Sequence, residues 1–256
     1  IKLYENYYVE EALTNGSTMR IFKNRDEVNK VCLMKGKMPE KPGEIGIDRM
    51  YADNNDLSVG DEIESGGHTW KITGLVALSD YSALFSNNND SMFDSVKFGV
   101  SVVCPEEFDS YKADQLNYSY AWKYNTEPKN EKAEKDISED LMEDVAKEVT
   151  LEEFVPRYTN QAIIFTGDDM GGDRSMMIVL LYIIIVIMAF VFAITTSNTI
   201  RKEANVIGTL RASGYTRGEL IRHYMAAPVF VTFIGAIIGN IIGYTVGKDY
   251  CAGLYY

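Results

Sequence analysis

Two long stretches without an ionised side chain constrain this chain more than any other feature. One stretch, between Arg174 and Arg201, holds 26 uncharged residues, and the other, from Tyr224 to Gly247, holds 24. A helix needs roughly 20 consecutive apolar residues to cross the hydrocarbon core of a bilayer. The alternative, a pair of buried helices in a soluble protein, is disfavoured because the segment YIIIVIMAFVFAI has no polar stripe. The sequence therefore predicts transmembrane helices over about 176–197 and about 224–247.

The distribution of charge predicts the orientation in the membrane. The connecting segment, about 198–223, carries five Lys and Arg residues against two Glu, whereas residues 1–176 carry 19 against 34 acidic residues, a net charge of −15. Short loops rich in Lys and Arg stay in the cytoplasm. We therefore expect a multi-pass protein of the plasma or inner membrane, with the loop inside the cell and the acidic region outside. The acidic charge argues against nucleic acid as a partner and favours cationic peptides or another basic partner.

Local signals in the connecting segment predict a helix, a turn and a second helix. The first part has apolar residues at helical spacing. They are Ile200, Ala204, Ile207 and Leu210. Gly214 stands where a helix ends on a left-handed residue, and Thr216 with Glu219 forms the T-x-x-E pattern of a capping box. We therefore predict a short amphipathic helix, a tight turn and re-entry into the membrane.

The loop sequence NVIGTLRASGYTRGELIRHYM, residues 205–225, resembles the cytoplasmic segment of the FtsX-like permease family, which includes the MacB-type ABC transporters. Members share a core of the form I-G-x-L-[RK]-A-x-G-[YA]-[ST]. In this chain the core comprises Ile207, Gly208, Leu210, Arg211, Ala212, Gly214, Tyr215 and Thr216. The chain departs from the common pattern at Val206, where many members have Glu, and its nearest acid is Glu203.

The resemblance implies a coupling helix that docks on a separate ATP-binding cassette ATPase subunit. The implied coupling residues are Ala204, Ile207, Gly208, Leu210, Arg211, Ala212, Gly214 and Tyr215. It also implies further membrane helices before Ile1 and after Tyr256, so that this chain is an internal piece of a longer permease. A second stretch, PGEIGIDRMYADNNDLSVGDEIESGGHTWKITGLV at residues 42–76, is similar to the MacB-like extracellular core domain of the same family.

Residues 1–166 predict an α+β extracytoplasmic domain, followed by the transmembrane α-helices of an FtsX-like membrane domain over 176–256. The strand candidates are rich in β-branched and aromatic residues and are bounded by turn residues. They are Tyr4–Val9, Thr18–Phe22, Lys30–Lys35, Glu44–Ile47, Leu57–Ile63, His68–Leu78, Ser95–Cys104 and Gln161–Phe165. An amphipathic helix is expected over Asn130–Val149. Its predicted apolar face consists of Ile137, Leu141, Val145 and Val149. Residues 167–175, rich in Gly and Asp, are expected to form a flexible linker.

Aromatic side chains alternate along Gln115–Tyr124. They are Tyr118, Tyr120, Trp122 and Tyr124. The alternation is typical of one face of a strand. Two interpretations follow, an aromatic face packed on the domain across neighbouring strands, or a face that stacks on a ligand.

Small residues recur every fourth position in the second apolar stretch. They are Gly235, Gly239, Gly243 and Gly247. Small residues at this spacing form a groove that lets another membrane helix approach closely. We therefore expect a helix–helix contact here, within the permease or across a dimeric permease assembly.

Catalytic chemistry has little material in this chain. There are only two histidines, His68 and His223, and no G-x-x-x-x-G-K-[ST] phosphate loop. Asp168, Asp169 and Asp173 do not have the spacing of a calcium loop. We expect no catalytic site, no metal and no cofactor. Cysteines 32, 104 and 251 leave the pairing open, because a disulfide and buried free thiols both fit the predicted locations.

Two functions from different classes fit these features. The first is the permease subunit of an ABC transporter, which couples ATP hydrolysis on a separate subunit to export or to mechanical work outside the cell. The second is a signalling or regulatory membrane protein that activates a cell-wall hydrolase without moving a solute. A membrane-tethered enzyme would need a catalytic site in residues 1–166, and the sequence gives no indication of one.

Overall fold

The computed structural model describes residues 1–254 and divides into an N-terminal unit, Ile1–Asp168, and a C-terminal unit from Asp169 onward. The strands are β1 (Lys2–Glu5), β2 (Tyr8–Ala12), β3 (Thr18–Lys23), β4 (Val31–Gly36), β5 (Glu44–Asp48), β6 (Glu62–Ser65), β7 (His68–Leu78), β8 (Phe98–Val103) and β9 (Tyr120–Lys123). The helices are α1 (Arg49–Asn54), α2 (Pro105–Phe108), α3 (Glu131–Glu148), α4 (Gln161–Lys202), α5 (Ala204–Ala212), α6 (Arg217–Ile242) and α7 (Lys248–Leu254). A 3-10 turn spans Arg157–Thr159, and a π-helical turn, Gly243–Gly247, joins α6 to α7.

A seven-stranded mixed sheet forms the centre of the N-terminal unit. Its order is β2-β3-β8-β5-β7-β4, with β6 paired to the free part of β7. The pairs β3–β8 and β5–β7 are parallel, and the other neighbours are antiparallel. Strand β8 reads FGVSVV and is buried at every residue, as expected for a central strand covered on both faces.

Large side chains from the central strands and α1 fill the core. The largest that are fully buried are Trp70, Tyr51, Phe22, Met19, Ile21, Ile45, Ile47 and Ile72. The indole Nε1 of Trp70 donates to Ser65 Oγ at 2.8 Å, and that hydroxyl donates to Glu11 Oε2 at 2.5 Å. The Tyr111 hydroxyl donates to the other Glu11 oxygen at 3.1 Å. The buried Glu11 carboxylate is therefore hydrogen-bonded through both of its oxygens.

A buried ion pair ties the segment after β3 to the loop after β7. The two terminal nitrogens of Arg25 donate to the two carboxylate oxygens of Asp80, each at 2.8 Å, and both side chains are less than one tenth exposed. The Asn6 side-chain oxygen accepts a further bond from Arg25 at 2.5 Å. Loss of either partner would leave a buried charge without compensation, which is strongly destabilising.

The helix α3 lies where the sequence predicted a helix, but its buried face is different. Glu134 and Ser138 are the buried residues, whereas Ile137 and Val149 of the predicted apolar face are exposed. Burial of a carboxylate is possible because Arg157 forms two bonds with Glu134, at 3.1 and 3.0 Å. Ser138 shares a hydrogen bond of 2.9 Å with the Tyr124 hydroxyl, and Leu141 and Val145 are half-buried beside it. Partner side chains thus override the hydrophobic pattern.

The alternating aromatics of β9 do not form a single face. Tyr118 and Tyr120 are exposed and lie edge-on to Tyr7, with ring centroids 5.0 and 5.4 Å away. Trp122 instead stacks on Phe154 at 4.9 Å. Strand β9 pairs only with β1, so the two form a small separate sheet. The packed-face interpretation therefore holds for Trp122, and the other two rings remain at the surface.

Several of the predicted elements are wrong in type or extent. The strand predicted over Tyr4–Val9 is divided, because it covers the end of β1 and the start of β2, which belong to different sheets. Residues 161–165 begin helix α4 instead of forming a strand, because a short apolar run does not distinguish the two. The main-chain nitrogen of Gln161 donates to Asn88 Oδ1 at 2.8 Å, which satisfies a donor at the start of the helix. Residues 167–175 continue the same helix, since they contain no proline to interrupt it. The strand predicted over Leu57–Ile63 begins only at Glu62, after a turn in which Asp61 accepts the Ser58 amide at 2.8 Å.

Helix α1 begins at a buried carboxylate. Asp48 Oδ1 accepts the main-chain N–H groups of Met50 at 2.8 Å and Tyr51 at 3.2 Å. Burial raises the pKa of Asp48 to about 6, although these backbone hydrogen bonds act in the opposite direction. Since this folded-state pKa exceeds the usual Asp value, the folded protein binds a proton more tightly than the unfolded chain. Asp48 therefore contributes stability at acidic pH that is lost as pH rises towards and through 6.

We expect Asp48→Asn to stabilise the N-terminal unit near pH 7.5, by up to about 3 kcal/mol, because it keeps the cap and removes the buried charge. The gain should disappear near pH 4. Thermal unfolding in detergent, followed by tryptophan fluorescence, tests this, since both tryptophans lie in this unit. The control Asp48→Ala removes charge and cap together and should be about 1 kcal/mol less stable than Asp48→Asn at both pH values. An Asn variant no more stable than wild type at pH 7.5 contradicts the argument.

Candidate functional site

Two helical segments of the C-terminal unit are long and apolar enough to cross a membrane. They are α4 and the continuous helical run Arg217–Gly253. In their most apolar 18-residue stretches the mean hydropathy is 3.3 and 2.1, respectively, and no residue of either stretch is buried. Helix α4 has 42 residues and is about 63 Å long, twice the thickness of a hydrocarbon core. Its apolar part is therefore only a portion of the helix. The predicted fold class, an α+β domain and then helices suited to a membrane, agrees with this architecture.

Between these segments lies a short helix that begins at a break. Glu203 has φ −95° and ψ 12°, outside the α-helical range, and separates α4 from α5. Helix α5 ends at Ala212, so the short helix predicted for this loop is confirmed. We refer to residues 203–224 as the connecting hairpin.

The turn of the connecting hairpin is closed by backbone hydrogen bonds. Gly214 has φ +100°, a conformation that residues with a side chain rarely adopt. Its N–H donates to the Arg211 carbonyl, and the N–H of Tyr215 donates to the Leu210 carbonyl, both at 3.1 Å. This pair of bonds is the Schellman motif, which satisfies the free carbonyls at the end of α5.

The second helix of the hairpin begins with the predicted capping box. Thr216 Oγ1 accepts the Glu219 N–H at 3.3 Å, and Glu219 Oε2 accepts the Thr216 N–H at 2.8 Å. The box satisfies donors at both of its residues, so helix α6 starts at a defined position. The motif predicted from sequence is therefore confirmed.

The eight predicted coupling residues fall into two groups. Ile207 and Leu210 are half-buried, and they lie on the same strip of α5 as Glu203. The other six are exposed. They are Ala204, Gly208, Arg211, Ala212, Gly214 and Tyr215. Within α5, Gly208, Arg211 and Ala212 have the spacing i, i+3, i+4 and therefore share one face of the helix. The prediction places all eight residues on one surface, whereas in the structure Ile207 and Leu210 are half-buried. We refer to the exposed face that carries Gly208, Arg211 and Ala212 as the outer face of α5.

Two features of the hairpin were not predicted. Val206 is 55% exposed on α5. The Tyr224 hydroxyl donates to Glu203 Oε2 at 2.5 Å, across the hairpin from α6 to the end of α4. The sequence signals were a tyrosine at the edge of an apolar stretch and an acid directly before the short helix α5. Neither signal by itself pairs the two residues.

The glycine row of the second apolar stretch is open along most of its length. At Gly235, Gly239 and Gly243 nothing except the helix's own neighbouring backbone lies within 4 Å of the place that a Cβ would occupy. The first two glycines belong to α6, whereas Gly243 and Gly247 bound the π-helical turn. Residues four apart in an α-helix drift by about 40° around the axis. The wider π turn reduces this drift for the last glycine.

No group of three or more His, Cys, Asp or Glu side chains is arranged to hold a metal ion within residues 1–254. Each cysteine is a free thiol, with Cys32 and Cys251 exposed and Cys104 buried. Of the two possibilities left by the sequence, the buried free thiol therefore holds for Cys104, whereas Cys32 is free but exposed.

Comparison with known families gives one match. Residues 178–252 match the family described as FtsX-like permease C-terminal. The matched region contains most of the apolar part of α4, the connecting hairpin and the second apolar segment. No curated protein matches the chain.

We expect Gly214→Ala to loosen the connecting hairpin and Gly218→Ala to preserve it. At both glycines the space that a Cβ would occupy is free of other residues within 4 Å, so only backbone conformation distinguishes them. Alanine at φ +100° should cost about 1–2 kcal/mol, whereas alanine within α6 should gain up to about 1 kcal/mol. Hydrogen exchange of the amides in residues 204–224, measured in nanodiscs, should be faster in the first variant alone. Equal protection in both variants would show that the turn does not depend on the left-handed residue.

Proposed function

We propose that this chain, whose residues 178–252 match the FtsX-like permease family of membrane components of ABC-type systems, is a permease subunit driven by a separate ATPase. The observation that carries the proposal is the connecting hairpin, a locally closed structure with an exposed basic face between two apolar segments. The work delivered on the other side of the membrane is export of a solute or mechanical action on a partner there.

We assign the connecting hairpin to the cytoplasm and residues 1–166 to the outside. The hairpin and its flanks carry Arg201, Lys202, Arg211, Arg217 and Arg222, all exposed, and no ion pair involves these five within the described chain. Unpaired cations in a short loop beside apolar helices favour retention on the cytoplasmic side. The long N-terminal unit is strongly acidic and is not subject to that constraint.

The outer face of α5 is the proposed docking surface for the ATPase. Gly208 and Ala212 lie one turn apart and have no bulk, so they allow close approach of a partner. Arg211 lies between them and has no ion pair within the described residues, and Tyr215 is exposed just beyond the helix. Arginine and tyrosine are enriched among the residues that dominate binding energy at protein interfaces.

In the proposed mechanism, ATP binding closes the ATPase dimer and displaces the outer face of α5. The Schellman turn and the capping box keep α5 and α6 in a fixed relation, so the displacement passes into both apolar segments. Such coupling requires that the contacts with the ATPase differ between its two states. The chain itself needs no phosphate-binding loop for this role, consistent with its lack of the G-x-x-x-x-G-K-[ST] pattern.

We expect Arg211→Glu to weaken binding of the ATPase subunit on the order of 30-fold, the effect of losing about 2 kcal/mol at an interface arginine. ATP hydrolysis should then no longer drive the event outside the cell. Binding of the intact permease to its ATPase in nanodiscs, with nucleotide-dependent cross-linking at residues 204–214, provides the measurement. Lys248→Glu, the same charge change at the far end of the second segment, is the control and should bind normally. Full coupling in the Arg211 variant would exclude this residue from the mechanism.

The glycine row is the proposed contact between permease helices in a dimeric assembly. Leucine at Gly239 would fill the open groove and prevent close approach, so Gly239→Leu should reduce the cross-linked dimer severalfold. Ala226→Leu makes a small-to-large change on the same helix and serves as the control, because Ala226 lies nine residues before Gly235 and therefore on the opposite face. An unchanged dimer fraction with full activity in Gly239→Leu would place the contact elsewhere.

A further inference from the structure

The hydrogen bond between Tyr224 and Glu203 is distinct from every other side-chain hydrogen bond between residues 175 and 253. All the others in that range join residues three or four positions apart, whereas this one joins residues 21 apart at 2.5 Å. An ionised acceptor makes a hydrogen bond roughly twice as strong as a neutral one. The bond therefore fixes the open end of the connecting hairpin, opposite the turn at Gly214.

Apolar side chains lie between this bond and the turn. Leu220 lies one helical turn before Tyr224. It is the single buried residue of α6. Ile207 is one turn after Glu203 and is half-buried, as is Leu210. Residues four apart on a helix share a face, so Leu220 and Tyr224 form one ridge and Glu203 and Ile207 form another. The hairpin is thus closed by backbone bonds at one end and by a side-chain bond at the other, and its least exposed apolar residues lie between these bonds.

Weak points in the helices lie just outside this closed region. On one side, the non-helical backbone of Glu203 separates α4 from α5. On the other, Pro228 lies inside α6, and a proline has no N–H to donate to the residue four positions earlier, which is Tyr224. The carbonyl of Tyr224 therefore lacks the usual donor four residues later, and α6 bends most easily directly after the bond to Glu203.

We propose that Glu203 and Tyr224 are positioning residues that hold the connecting hairpin together as one rigid body, which pivots at Glu203 and at Pro228. The functional consequence rests on the proposed function: when the ATPase displaces α5, the displacement rotates both apolar segments instead of opening the hairpin. Glu203 supplies the carboxylate for the bond, and Tyr224 supplies the hydroxyl donor. Without the bond, a push on α5 separates it from α6, and the motion is absorbed before it reaches Pro228.

Hydrogen exchange of the intact permease in nanodiscs, without the ATPase, tests the rigid body itself. Tyr224→Phe removes only the donor, so exchange in residues 204–212 should become about tenfold faster. Glu203→Ala should have the same effect, and the double variant should be no faster than either single one. Glu203→Gln keeps a side-chain acceptor and should remain within about threefold of wild type. The control is Tyr244→Phe, because Tyr244 is exposed and its hydroxyl makes no hydrogen bond with the described residues.

Transmission is tested with the ATPase present and spin labels on either side of Pro228. Val206→Cys and Val229→Cys are exposed labelling sites, with the exposed Cys32 and Cys251 replaced by serine. We expect a nucleotide-dependent change in the label distance that is lost in Tyr224→Phe, although ATPase binding stays within about twofold because the outer face of α5 is unchanged.

The outcomes separate the two proposals. Unchanged exchange in both Tyr224→Phe and Glu203→Ala overturns the rigid body, and so does an intact distance change in Tyr224→Phe. Failure of the wild-type permease to bind any ATPase contradicts the proposed function, while the exchange measurements still decide whether the bond holds the hairpin. If Tyr224→Phe does not insert into the membrane, the comparison of Glu203→Ala with Glu203→Gln decides the question at the other partner.

Discussion

Long uncharged helical segments that the described chain leaves uncovered are suited to a lipid environment, and the rest of the C-terminal unit depends on that constraint. No residue is buried in the most apolar 18-residue stretch of either segment. Polar side chains inside these segments bond back to their own helix, as Thr195, Thr232 and Thr245 do to carbonyls four positions earlier. No polar group of these three residues is then left to face hydrocarbon without a partner. Ionised side chains are confined to the ends and to the connecting hairpin, so these are where water-soluble partners can be recognised.

The connecting hairpin holds its conformation with local bonds because little protein surrounds it. Its turn is closed by main-chain bonds from Gly214 and Tyr215, and its second helix is started by reciprocal bonds between Thr216 and Glu219. The larger N-terminal unit is stabilised differently, by a buried sheet with paired polar groups such as Arg25 and Asp80. The contrast has a functional meaning. An element that is stable without a covering layer can present its outer side chains to another protein and still transmit a displacement.

Much of this arrangement was predictable because it depends on nearby residues. The apolar segments follow from composition, and the helix, the turn and the capping box of the hairpin follow from residues three to five positions apart. Interactions between distant residues were not predictable. The helix α3 buries Glu134 because Arg157 lies opposite, and helix α4 begins at Gln161, whose main-chain nitrogen donates to the distant Asn88. The bond between Glu203 and Tyr224 belongs to the same class, since it exists only after α5 folds back beside α6.

The π-helical turn at Gly243–Gly247 affects the geometry of any helix that lies along the glycine row. In an uninterrupted α-helix, a row with a four-residue repeat winds steadily around the axis, and a partner following it must cross at a steep angle. Inserting one wider turn rotates the last glycine back towards the earlier ones. The groove therefore runs straighter near α7, and two such segments can lie side by side over a greater length with a shallow crossing angle.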